Sequence, residues 1–138
     1  MRPFDIQRVD HVVLRVTDLE RSRRFYVDVL GCTIARERID LGLVHLRTGA
    51  SMIDLVDVAG RLGRRGGNAA GTTGRNVDHI CLRVEPFDEA AIRAHLAAHG
   101  VDVPEAMSTN FGAEGDGPSL YLSDPDGNSI ELKGAATS

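Results

Sequence analysis

Two histidines and two carboxylates recur in the chain at matching places, and together they could hold a divalent metal. Asp10-His11-Val12-Val13-Leu14-Arg15-Val16 returns as Asp78-His79-Ile80-Cys81-Leu82-Arg83-Val84, residue 78 standing 68 positions after residue 10. Ile53-Asp54-Leu55 is echoed by Ile130-Glu131-Leu132. Each half thus supplies one imidazole, His11 or His79, and one acid, Asp54 or Glu131. Imidazole suits Zn, Fe or Ni, and carboxylate with water suits Mn or Mg, so a mixed set points to a divalent ion of borderline hardness. Any one of these residues alone is better read as a hydrogen-bonded or solvated side chain. Recurrence at paired positions favours one shared site.

Positioning these groups requires one supersecondary unit used twice. The apolar–acid–apolar phrases have the period of a strand, with the acid opposite its two neighbours, facing solvent or a polar cavity. In the first half a strand spans about 8–16. Thr17-Asp18-Leu19-Glu20 reads as a capping box with Thr17 as the cap. A helix follows to Leu30, with Leu19, Ser22, Tyr26, Val29 and Leu30 on one face and Gly31 placed to end it. Strands follow near 33–39, 42–48 and 51–58. The second half opens at Val77. Its helix runs from Pro86-Phe87-Asp88 to about His99 and ends at Gly100, with strands near 101–106, 118–123 and 128–133. A further strand near 108–113 is weakened by its glycines. The turn Asp124-Pro125-Asp126-Gly127-Asn128 precedes the last strand. The predicted class is α+β: two tandem βαβββ modules in a single domain over 1–138, module one about 8–58 and module two about 77–133.

Residues 59–76 hold six glycines and read as a flexible linker, or as a loop that orders over a ligand. Cys81, inside a strand, reads as a small buried apolar residue. Cys32 and Cys81 are the only cysteines, too few for a disulfide framework or a zinc cluster. The net charge of −4 argues against nucleic acid as a partner. No run of 18 apolar residues exists for a membrane span, and the N-terminus lacks the apolar core of a signal peptide. The expected location is the cytoplasm. His45, His95 and His99 have no mate in the repeat.

The chain resembles the vicinal-oxygen-chelate superfamily of glyoxalase I, extradiol dioxygenases, fosfomycin- and bleomycin-resistance proteins and methylmalonyl-CoA epimerase. The resemblance rests on Asp10–Val16, on Asp18–Gly31 with its Phe25-Tyr26…Val29-Leu30-Gly31 ending, on Asp78–Val84 and on Asp124–Leu132. It implies that His11, His79 and Glu131 are metal ligands, with Asp54 where glyoxalase I has a ligand glutamate one methylene longer. It further implies one divalent ion per site (Zn, Ni, Mn, Fe or Co) and a homodimer whose sites are shared between chains. The implied activity is a glyoxalase-like lyase or isomerase. Such an enzyme acts on a small substrate with vicinal oxygens through a metal-stabilised enediolate, with Glu131 as the base. Arg15 falls where glyoxalase I has a substrate-binding arginine, whereas Val58 replaces a glutathione-binding asparagine. An extradiol dioxygenase is the alternative, with Tyr121 as the tyrosine near the metal. A bleomycin-resistance-like binding protein is the other, disfavoured by an aromatic content of 4% and no Trp.

Overall fold

A computed structural model describes all 138 residues. The chain forms two compact units, Met1–Ala69 and Ala70–Ser138. No helix is long and apolar enough to cross a membrane.

In the first unit, β1 (His11–Val16) leads to α1 (Leu19–Arg24), then β2 (Thr33–Arg38), β3 (Leu43–Thr48) and β4 (Ser51–Asp57). The strand order is β1-β4-β3-β2, with β1 parallel to β4 and the other pairs antiparallel. A strand alternates its side chains between two faces. Leu14, Val16, Val44, Leu46, Ile53 and Leu55 fall on one face and are buried, as are Phe25 and Tyr26 of the helical segment. His11, Val13, Arg15, His45, Asp54 and Val56 share the opposite face.

The second unit repeats this plan. Strand β5 (Ile80–Arg83), α2 (Glu89–Ala98), β6 (Ser108–Gly112), β7 (Gly115–Ser123) and β8 (Ser129–Lys133) give a sheet of order β5-β8-β7-β6. Leu120, Leu122, Ile130 and Leu132 are its buried strand residues, with Leu96 buried on α2. Both modules are therefore βαβββ, as the repeat predicts.

Several local expectations change. The α1 cap is Asp18, not Thr17: the Asp18 carboxylate accepts the Arg21 amide at 3.0 Å, and the Thr17 hydroxyl instead accepts from the Arg21 guanidinium. Asp88 caps α2 identically, at 3.0 Å from the Ala91 amide. The first helix does not run on unbroken to Leu30, because it widens into a π-turn over Phe25–Val29. Gly31 and Gly100, both with positive φ, follow the two helical segments. No strand forms at 101–106. The outer strand is Ser108–Gly112, and β7 begins as early as Gly115, because the aliphatic stem of Lys133 lies against Gly112, where a Cβ would come within 3.0 Å of it. Glycine there admits the lysine rather than breaking the strand. Cys81 is exposed, not buried, since it lies on the sheet face opposite Ile80 and Leu82.

Candidate functional site

The two carboxylates occupy the same node of their sheets. Asp54 on β4 lies opposite Val13 of β1, and Glu131 on β8 lies opposite Cys81 of β5. Val13 and Cys81 are themselves mates in the sequence repeat. Alternation aims both acids away from the helical core, yet both are buried, Asp54 at 5% and Glu131 at 4% exposure. Buried carboxylates need partners, and the modules supply them differently.

In module two, His79 Nε2 lies 3.0 Å from Glu131 Oε1, and Ser119 Oγ donates to Glu131 Oε2 at 2.5 Å. Tyr121, opposite Glu131 on β7, sets its ring edge-on to His79 at 5.7 Å between centroids. Burial first, then the hydrogen bond and charge of Glu131, push the Tyr121 phenol up to about 12, so it stays a proton donor near neutrality. Although Cys81 is exposed as a residue, partial desolvation of its thiol and then the charge and hydrogen bond of the same carboxylate push it up to about 11. This module brings His79, Glu131 and Tyr121 together.

In module one, Asp54 Oδ2 lies 3.1 Å from His45 Nδ1, while Asp54 Oδ1 is buried and has no hydrogen-bond partner. His45 occupies, opposite Asp54, the place that Tyr121 takes opposite Glu131. Repeat matching missed His45. A local signal was present: the two-residue turn Gly49-Ala50 pairs Thr48 with Ser51, which brings His45 opposite Asp54.

Both repeat histidines are tethered by the aspartate before them. His11 Nδ1 lies 2.7 Å from Asp10, and His79 Nδ1 lies 2.7 Å from Asp78. That bond is the chief cause raising each imidazole above its ordinary value, with desolvation opposing it and the module's own carboxylate helping. With Nδ1 engaged, His11 offers Nε2, the arrangement in which a carboxylate orients a ligating histidine, whereas His79 Nε2 meets Glu131.

Arg15, the substrate-binding candidate, is committed to backbone carbonyls of the glycine-rich segment. Its guanidinium donates to Gly63 O at 3.1 and 2.8 Å, to Gly67 O at 2.5 Å and to Asn68 O at 3.1 Å. The segment up to residue 68 is thereby tied to module one, including a 3-10 turn over Gly63–Gly66. Arg83, the repeat mate, pairs with Glu114 and Glu85 instead.

A divalent ion fits this donor set, because the orphaned Oδ1 of Asp54 is a buried acceptor lacking a donor or a cation. Neither unit alone gathers three such side chains into a ready-made cage.

Comparison with known proteins agrees with the two-module fold. The model of the Glyoxalase/Bleomycin resistance protein/Dioxygenase superfamily matches residues 8–132. Virulence protein STM3117 of Salmonella typhimurium is 29% identical over 132 residues, covering 92% of this chain and 83% of that protein. The crystal structure of STM3117 superimposes with a TM-score of 0.77 and 26% identity, over 96% of this chain and all (100%) of the other. Glyoxalase domain-containing protein RDO1 of Mycosarcoma maydis is 28% identical, covering 95% of this chain and 70% of its own length.

Proposed function

Because this chain belongs to the Glyoxalase/Bleomycin resistance protein/Dioxygenase superfamily, we propose that it is a divalent-metal-dependent, glyoxalase-like enzyme of the lyase or isomerase type, acting on a small substrate with adjacent oxygens. The observation that carries this reading is the shared register of Asp54 and Glu131, each buried on the polar face and each accompanied in its module by a carboxylate-tethered histidine.

His11, Asp54, His79 and Glu131 would hold the ion, one of Zn, Ni, Mn, Fe or Co. When bound, it supplies Lewis acidity to the two substrate oxygens. The chain's own groups do the rest. Glu131 is the proton carrier: Ser119 fixes Oε2, and Oε1 stays on the side of His79. Tyr121, protonated across the neutral range and hydrogen-bonded to Glu131, would be the substrate-facing phenol of this reading. Asp10 and Asp78 act through the histidines as positioning residues. The working form in this reading is a cytoplasmic homodimer with sites shared between chains.

Elemental analysis of the purified protein tests it. About one ion per chain is expected, with near-complete loss in both His79→Ala and Glu131→Ala, because second-sphere changes alone already cost roughly 10–100-fold in metal affinity. The metal then chooses the assay, thiohemiacetals for nickel, cobalt or zinc and catechols for iron or manganese. Unchanged metal content in both variants would remove the site.

A further inference from the structure

Module one contains a cavity of about 570 Å³, within the range of small-molecule sites. Val13, Leu43, Val56 and Leu62 give it apolar walls, and His45 and Asp54 contribute its polar patch. The 3-10 turn of the glycine-rich segment lines it with Gly63, Arg65 and Gly66.

This turn is constructed rather than slack. A Cβ on Gly63 would lie 1.8 Å from the Asp57 carbonyl oxygen, and one on Gly66 would lie 2.5 Å from the Arg15 guanidinium. Three carbonyls of the segment close on Arg15. The turn therefore has a fixed seat, and that seat sets Arg65 beside the cavity. Arg65 Nε donates to Leu62 O at 3.2 Å, and no carboxylate pairs with its guanidinium.

Arg15 and Arg65 bring two permanent positive charges to this cavity against one acid, Asp54, which is itself paired with His45. In a chain of net charge −4 that balance is local and opposite in sign. We propose that this cavity binds an organic anion with an apolar body, and that Arg65 selects the anion's charge while Leu62 contacts its apolar part. A guanidinium with its terminal nitrogens free suits the planar fork of a carboxylate. The inference rests on the enzyme reading above and names the class of its substrate.

The test is calorimetric titration of the full chain, as purified and again after EDTA, with phenylacetate and with its neutral amide, phenylacetamide. Phenylacetate is expected to bind roughly tenfold more tightly than the amide, as charge-assisted pairing predicts. Arg65→Gln should reduce that preference to about twofold or less, and Leu62→Ala should weaken both probes alike. The preference should survive EDTA, because arginine and not the metal provides it. Equal binding of the two probes overturns the proposal, as does a preference retained in Arg65→Gln or lost with EDTA. So does an absence of phenylacetate binding at millimolar concentration. Inorganic phosphate competing as well as phenylacetate would overturn the apolar half. Failure here with metal content intact indicts the cavity, whereas loss of metal with the preference intact indicts the enzyme reading.

Discussion

Module two closes its carboxylate and module one leaves its own open. Both oxygens of Glu131 are engaged, by His79 and Ser119, whereas Asp54 has one oxygen on His45 and the other orphaned in the interior. The strands, register and helix caps are alike in the two halves, so the difference lies in a few side chains. Serine at 119 supplies a donor that module one lacks, and aspartate at 54 is a methylene shorter than glutamate at 131. A repeated fold can thus carry one buried carboxylate that is fully partnered by its own module and one that is not. The cavity lies beside the open one.

The comparison breaks most readily at the carboxylate partners. In metal-free protein, Ser119→Ala leaves Glu131 Oε2 buried without its donor and should cost about 1–3 kcal/mol. Asp54→Asn should cost far less or stabilise, since it removes a buried charge already missing one partner. Urea unfolding of the three EDTA-treated proteins measures this directly. Equal losses at the two positions would mean that the modules do not differ in the way their hydrogen bonds indicate.

The caps sharpen the same comparison from the other side, because here the modules should agree. Asp18→Ala and Asp88→Ala each remove a carboxylate from an orphan amide and should each cost about 1 kcal/mol. Midpoint shifts in urea that match for the two variants would place the asymmetry at the sites alone. A much larger loss at Asp18 would instead trace it to the short α1 and its π-turn.

The features readable in the sequence were those set by neighbours in the chain. The Asp-His repeat located β1 and β5, and apolar–acid–apolar spacing put Asp54 and Glu131 on the polar face of their sheets. Gly31 and Gly100 marked the helix ends. What stayed hidden depends on distant contacts. Arg15 meets carbonyls about 50 residues away, at Gly63, Gly67 and Asn68. So the segment that composition alone reads as a slack linker is strapped down on module one up to that point. The glycines of 112–117 look like strand breakers until Lys133 packs against them. His45 was missed for a different reason. Its counterpart is a tyrosine, so a search for repeated residue types passes over it, although the turn at Gly49-Ala50 fixes its register.

The smallest expected effect concerns the histidine tethers, and its sign separates the metal-free protein from the loaded one. His11 and His79 are both raised above their ordinary value of 6.5, chiefly by Asp10 and Asp78. A raised folded-state value means that the protonated ring is favoured by folding. The resulting stability is fully present below pH 6.5 and is lost as pH rises through the higher folded value. EDTA-treated protein should therefore melt at a slightly lower temperature at pH 8 than at pH 6. Asp78→Asn should flatten that slope, and Asp10→Asn should flatten it too. The Asp10 carboxyl, held below its ordinary 3.8 by His11, titrates far below this window and does not disturb it. With saturating metal the slope should reverse, because ligation requires the neutral imidazole and protons compete with the ion. A loaded protein whose melting temperature still falls from pH 6 to pH 8 would show that these histidines remain paired with their aspartates as cations and are not ligands.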